Sequence, residues 1–164
     1  MLRAVPEGCF SSNFIVFDQA GTPVARADLS NWREIAKLEV GGTRYEARSK
    51  GRAGKKFVLG QEDGRVVAVV EKPSVWRNRF VFEHAGNRYE LRRASVWGSA
   101  FVLWREGVGS VGSVRSKALF KREWTADLPE ELPLEVRALI VWLMIILWKR
   151  RATAAAGGAA AAVG

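Results

Sequence analysis

A repeat of about 44 residues is the feature that most constrains the fold of this chain. When the sequence is shifted by 44 positions, residues 32–62 align with residues 76–106 without a gap, and 13 of these 31 positions are identical. Phe57-Val58-Leu59, for example, aligns with Phe101-Val102-Leu103. A partial third copy begins upstream at Phe14. The chain therefore contains roughly two and a half copies of one structural unit.

Each unit has the pattern of short β-strands joined by tight turns. Ile35–Val40 alternates apolar and polar residues, Gly41-Gly42 supplies a hairpin turn, and Arg44–Arg48 returns with alternating faces. A second hairpin follows, with its turn at Glu62-Asp63-Gly64. Four strands per unit predict about ten to twelve strands in the whole chain.

These strands can form a propeller or a barrel. Four-stranded repeats of this length also fit propeller blades, but a propeller needs at least about four blades, and this chain has room for fewer than three. A closed sheet removes the exposed strand edges that invite aggregation. We therefore predict a mainly β fold, a closed antiparallel β-barrel of about 12 strands.

A long apolar segment follows the strands. Pro133 and the acids before it suit a helix start, and Lys149 and its basic neighbours suit a helix end. Ala138–Trp148 are all apolar, and as a helix they would be about 16 Å long, whereas a bilayer core is about 30 Å thick. The helix is thus interpreted either as a membrane anchor or as a core element. We favour a helix over 133–149 threaded through the barrel, since a barrel wider than about eight strands needs filling.

These elements divide the chain into three parts. Residues 1–13 are predicted to form a flexible lead-in, and residues 14–151 the barrel with its central helix. Residues 152–164 are rich in Ala and Gly and lack a hydrophobic pattern. We predict a disordered tail for them.

The charge balance indicates an anionic partner. Lys and Arg number 26 against 17 Asp and Glu, so the net charge is +9. Such a charge attracts phosphate-bearing partners, although it also serves solubility. One cysteine, Cys9, and one histidine, His84, exclude an internal disulfide and a metal site built from several of these residues. With no nucleophile–base pair in sight, we expect neither enzymatic activity nor a cofactor.

The order of these features resembles that of a known superfamily. A repeated β pattern, the segment Leu128–Pro133 (LPEELP) and a wholly apolar terminal helix resemble the tubby C-terminal-like superfamily, which includes phospholipid scramblases and LURP-one-related proteins. The resemblance implies a twelve-stranded barrel threaded by Leu134–Trp148, and it suggests lipid binding. The chain departs from scramblases in lacking an acidic loop with calcium-ligand spacing and a cysteine cluster.

The densest basic segment lies in the first repeat. As a loop it would offer several cations to phosphate head groups, each worth about 1 kcal/mol near an anionic surface. A solvated hairpin without a ligand is the alternative. The segment has no interleaved aromatic residues, so nucleic acid is a less suitable partner. The candidate binding residues are Arg44, Arg48, Lys50, Arg52, Lys55 and Lys56.

Two functional hypotheses follow. The first is a non-enzymatic, cytoplasmic binding module for anionic phospholipid surfaces or phosphorylated ligands, peripheral to the membrane. The alternative is a scramblase-like protein anchored in the membrane by its C-terminal helix.

Overall fold

The structure, a computed structural model, describes residues 1–8, 13–29, 34–50, 55–74, 79–95, 100–116 and 123–161. Twelve strands precede one helix. The strands are β1 Leu2–Pro6, β2 Phe14–Phe17, β3 Pro23–Leu29, β4 Ile35–Val40, β5 Thr43–Lys50, β6 Lys56–Gln61, β7 Val66–Glu71, β8 Arg79–His84, β9 Asn87–Arg93, β10 Phe101–Arg105, β11 Gly109–Ser116 and β12 Trp124–Asp127. The helix, α1, is Leu134–Ala161.

Every strand pairs with its neighbours in sequence, and β1 pairs with β12 to close the sheet into a barrel. The pairing is antiparallel throughout. This confirms the predicted closed, twelve-stranded antiparallel barrel. Closure gives each of the twelve described strands two partners.

The barrel consists of three similar four-stranded units. β4–β7 form the first, β8–β11 the second, and β12 joins β1–β3 to form the third. Register shifts occur at the same place in each unit, between Val16 and Phe17, Leu59 and Gly60, and Leu103 and Trp104. The third copy is therefore complete, but the two ends of the chain divide it.

The prediction of a flexible lead-in over residues 1–13 is wrong for Leu2–Pro6. These residues form β1, which lies between β2 and β12. Leu2 and Ala4 point into the core and are buried, as the alternation of a strand requires. The strand is held by β12, which is more than a hundred residues away in sequence, so local patterning gives little sign of it.

Helix α1 lies inside the barrel. All nine residues of Ala138–Ile146 are at most 3% exposed, so the helix is buried on every face. In a fold with a single closed sheet, only the barrel interior covers a helix all round. The Phe57 ring of β6 meets the Trp142 ring edge-on, with centroids 6.0 Å apart. This confirms the predicted threaded helix.

The helix is longer than the predicted 133–149. It continues to Ala161, through most of the segment for which we predicted a disordered tail. Alanine has the highest helix propensity, and the segment is mostly alanine, so a helix already formed upstream extends readily through it.

The two ends of the barrel differ. Helix α1 enters at the end where β12 finishes, and this entry end carries the short turns that begin at Asp18, Gly41, Gln61, Ala85 and Arg105. The helix leaves through the opposite end, near Glu34 and Ser49. We call this the exit end. It includes the last residues of β3, β5, β7 and β9.

One turn at the entry end carries backbone strain. Ala85 has φ 48°, in the left-handed region, and its equivalent in the first unit, Gly41, has φ 55°. Ala85→Gly should stabilise the protein by about 0.5–1 kcal/mol, since glycine adopts this conformation without steric cost. Gly41→Ala should have the opposite effect and lower the free energy of unfolding. Urea unfolding of the two variants tests this. A loss of stability in Ala85→Gly would contradict the expectation.

Candidate functional site

The predicted basic segment does not form one site. Arg44 lies near the entry end of β5, whereas Lys50 ends the same strand at the exit end. Six residues of extended strand separate them by about 20 Å. Lys55 and Lys56 lie beside Lys50, at the start of β6. Arg48 lies between the two ends of β5, and Arg52 falls outside the described residues.

Acids from the same or neighbouring strands neutralise part of this segment. Arg44 lies 4.0 Å from Glu62, and Lys56 lies 3.0 Å from Glu71. Arg48 forms an ion pair with Glu46 on its own strand. Most of these side chains are exposed and Glu46 is half-buried, so each pair is worth at most about 1 kcal/mol. Within the described part of the chain, Lys50 and Lys55 are the two members of the segment without an ion pair.

A different group of cations surrounds the point where α1 leaves the barrel. Lys72 follows β7, and Arg93 ends β9 on the same face as the buried Leu91. Arg150 and Arg151 lie on the last barrel-enclosed part of α1 and are half-buried. We call these four residues the cationic mouth. Lys50, Lys55, Lys56 and Lys149 add charge at the same end.

The members of the cationic mouth are close enough to perturb one another. Burial lowers the pKa of Lys72, and the charges of Arg150 and Arg151 lower it further. Burial also lowers the pKa of Arg151, with a further contribution from Arg93. Burial and like charges both disfavour the charged form of a cation. Lys72 and Arg151 therefore carry their charges at this end at an electrostatic cost.

One acid anchors the helix in this mouth. Arg150 Nε donates a hydrogen bond to Glu34 Oε1 at 2.6 Å, and its guanidinium lies over the Phe57 ring, 5.4 Å from the centroid. Ser49 Oγ lies 3.4 Å from the same guanidinium. The hydrogen bond from Arg150 holds the pKa of Glu34 below its usual value. Glu34 thus fixes the end of α1 against β4 and β5.

Glu34→Gln should lower the free energy of unfolding by about 1–2 kcal/mol at neutral pH, because it removes a charged hydrogen bond that is partly exposed. The lowered pKa of Glu34 means that its contribution is present above the pKa of the unfolded chain and is lost as pH falls through the folded value. Urea unfolding at pH 7 and near pH 3 should show the difference between wild type and variant shrinking with acid. A difference independent of pH would contradict this role.

A second polar network positions the helix start at the entry end. Tyr89 Oη donates a hydrogen bond to Glu131 Oε1 at 2.9 Å, and Arg105 donates to the same carboxylate at 3.1 Å. Arg105 also donates to Asn87 Oδ1 at 2.8 Å. Burial and Glu131 raise the pKa of Tyr89. The network ties the segment before α1 to β9 and β10.

Two further residues singled out in the sequence are the single histidine and the single cysteine. His84 ends β8 and is partly exposed. Cys9 lies in a segment that the structure does not describe.

Sequence reasoning missed the cationic mouth. Its members come from three parts of the chain that are far apart in the sequence, and the sequence indicates only a basic helix end at Lys149-Arg150-Arg151. Strand direction is the signal that could have found them. Once the strands alternate in direction, Lys72 and Arg93 fall at the same end as the C-terminal end of the apolar helix.

Comparison with known proteins assigns no family. No protein-family model, curated protein or solved structure matches the chain. Over the described residues, no helix combines the length and apolar composition needed to cross a membrane.

Proposed function

We propose that this chain is a tubby-like barrel that binds anionic, phosphate-bearing surfaces through its exit end, with the phospholipid membrane as its partner. One observation carries the proposal: the four residues of the cationic mouth lie together around the exit of the helix. Burial and the neighbouring positive charges lower the pKa of two of them, Lys72 and Arg151. The helix-filled barrel is also the architecture that the resemblance to the tubby-like superfamily implies.

The arrangement suits a charged surface better than an enclosed ligand. The mouth residues surround a helix that fills the barrel, so they offer cations around the end of the molecule. Lys50, Lys55 and Lys56 widen this charged area on the β5–β6 side. Each cation near an anionic leaflet contributes about 1 kcal/mol, so several acting together would hold the protein to a membrane.

Vesicle co-sedimentation tests the proposal. We expect binding to vesicles that contain phosphatidylserine, weak binding to pure phosphatidylcholine, and a steep loss of binding as salt rises. Equal recovery with neutral and anionic vesicles would contradict the proposal. A soluble inositol polyphosphate that displaces the protein from vesicles and also binds in calorimetry would identify a phosphorylated ligand as the source of the phosphate chemistry.

A further inference from the structure

A second basic surface lies on the outer face of the second unit. It is a groove of about 740 Å³ over β8, β9, β10 and the turn after β10. Its lining includes four arginines, Arg79, Arg88, Arg92 and Arg105, together with Glu90 and Trp104. The volume is in the range of sites that hold small molecules.

An indole ring forms the centre of this groove. Trp104 is 37% exposed, which is unusual for a large aromatic residue, and the nearby Val108 is 65% exposed. The Arg92 guanidinium lies over the indole, 5.0 Å from the ring centroid. More than a third of Trp104 remains exposed with Arg92 in this position, which leaves aromatic surface for a planar ligand.

The arginines around the indole are not equivalent. Arg79 and Arg92 both bind Glu90, at 3.1 and 2.8 Å. Arg105 binds Glu131 at 3.1 Å. Arg88 is exposed and has no ion-pair partner among the described residues. It is therefore the groove cation whose charge is available to a ligand.

Arg88 also lies at a suitable distance from the indole. Trp104 is directly opposite Glu90 in the pairing of β9 with β10, and Arg88 is two residues from Glu90 on the same face. Such diagonal neighbours lie about 7–8 Å apart, within reach of an arginine and a tryptophan side chain. One ligand can contact both.

The first unit provides an internal comparison. Arg44, Glu46 and Arg48 are the equivalents of Arg88, Glu90 and Arg92, but Gly60 stands where the second unit has Trp104. Ile35 likewise stands in place of Arg79. In the first unit, Arg44 forms an ion pair with Glu62. The fold therefore does not require the tryptophan or the added arginine.

We propose that this groove binds a nucleotide, with its base stacked on Trp104 and its phosphate held by Arg88. Indole rings stack on bases of any sequence, and the planar guanidinium pairs with phosphate oxygens in a bidentate manner. A free nucleotide and a nucleotide within a single strand present the same chemistry. The inference is independent of the membrane proposal, since the groove and the cationic mouth share no residue.

Isothermal titration calorimetry with four probes tests the inference. Adenosine monophosphate and a short single-stranded oligonucleotide carry both base and phosphate, whereas adenosine and ribose 5-phosphate each carry one of the two. We expect binding of at least one of the first pair, and much weaker binding of the second pair. Tighter binding of the oligonucleotide would identify single-stranded nucleic acid as the ligand. Tighter binding of the monophosphate would identify a free nucleotide as the ligand.

The internal repeat supplies matched variants. Trp104→Gly installs the residue of the first unit, and loss of the stacked base should weaken binding by about 5- to 150-fold. Trp104→Phe installs the residue of the third unit, where Phe17 of β2 occupies the equivalent position. This variant keeps an aromatic ring and should retain binding. Arg88→Ala should weaken binding of the phosphate-bearing probe, while Arg44→Ala, its equivalent in the first unit, should leave binding unchanged.

Three results would overturn the inference. The first is equal binding of ribose 5-phosphate and adenosine monophosphate, and the second is unchanged affinity in a Trp104→Gly variant that unfolds at the wild-type temperature. The third is a combination of two observations: no nucleotide binds to the wild type, and a groove variant loses binding to anionic vesicles. The groove would then be a membrane contact.

Discussion

Removal of residues 134–164 is expected to leave the chain unable to form the barrel. The nine residues of Ala138–Ile146 are at most 3% exposed, and they fill an interior that the side chains of twelve strands do not. Each large apolar side chain contributes about 1.5–3 kcal/mol on burial, and the whole protein is stable by only about 5–15 kcal/mol. Circular dichroism and amide NMR spectra of residues 1–133 should show no cooperative fold.

Two controls separate loss of the core from loss of chain length. Truncation after Ala154 keeps every residue of α1 whose burial the structure describes and should preserve the fold, since Ala152–Ala154 are already exposed. In the full chain, Leu139→Glu should cost at least about 4 kcal/mol, because it puts a charge at a fully buried position. Thr153→Glu, on the exposed part of α1, should be nearly neutral. A folded 1–133 fragment would refute the threaded architecture.

Trp142→Ala is expected to give the largest loss among neutral core substitutions, about 3–5 kcal/mol. Trp142 is 1% exposed and packs edge-on against Phe57. Its replacement by alanine leaves a cavity between α1 and β6. The closed sheet and the enclosed helix can move little toward each other, so the cavity stays largely unfilled. Urea unfolding monitored by circular dichroism measures the change.

Trp142→Phe serves as the comparison. The buried indole Nε1 has no hydrogen-bond partner among the described residues, so this substitution removes an unsatisfied donor while retaining an aromatic ring. We expect a loss of under about 2 kcal/mol. Equal losses in the two variants would mean that the indole N–H itself stabilises the fold, which would contradict its status as an unsatisfied donor.

The barrel could be predicted because its determinants are local and occur repeatedly. Alternating strands such as Ile35–Val40 and turn residues such as Gly41-Gly42 specify hairpins from adjacent residues. The apolar run from Ala138 could be assigned to the interior because its length suits a barrel core and is too short for a bilayer.

The parts that were missed depend on partners distant in the sequence. β1 is a short strand whose pairing with β12 brings together opposite ends of the chain. The helix beyond Lys149 has no hydrophobic pattern, and its alanine content gave the only sign of its structure.

The candidate site could not be predicted for the same reason, since its residues are distant in the sequence. Arg44 and Lys50 are close in sequence, but an extended strand places them at opposite ends of the barrel. Conversely, Lys72 and Arg151 are far apart in sequence and lie close together, because β7 ends where α1 emerges. Clusters of charge along a sequence therefore predict a site poorly when they fall on strands.

Charge reversal at the two ends of the barrel tests most directly whether the exit end is the binding surface. One variant carries Lys72→Glu and Arg151→Glu in the cationic mouth, and leaves Arg150 in place because Glu34 holds it. The control carries Arg44→Glu and Arg65→Glu, which make the same change in net charge at the exposed entry end. We predict that the first variant binds phosphatidylserine vesicles at least about tenfold more weakly than wild type, while the control binds within about threefold of it. Equal losses in the two variants would show that net charge alone drives binding, and would contradict a binding surface at the exit end.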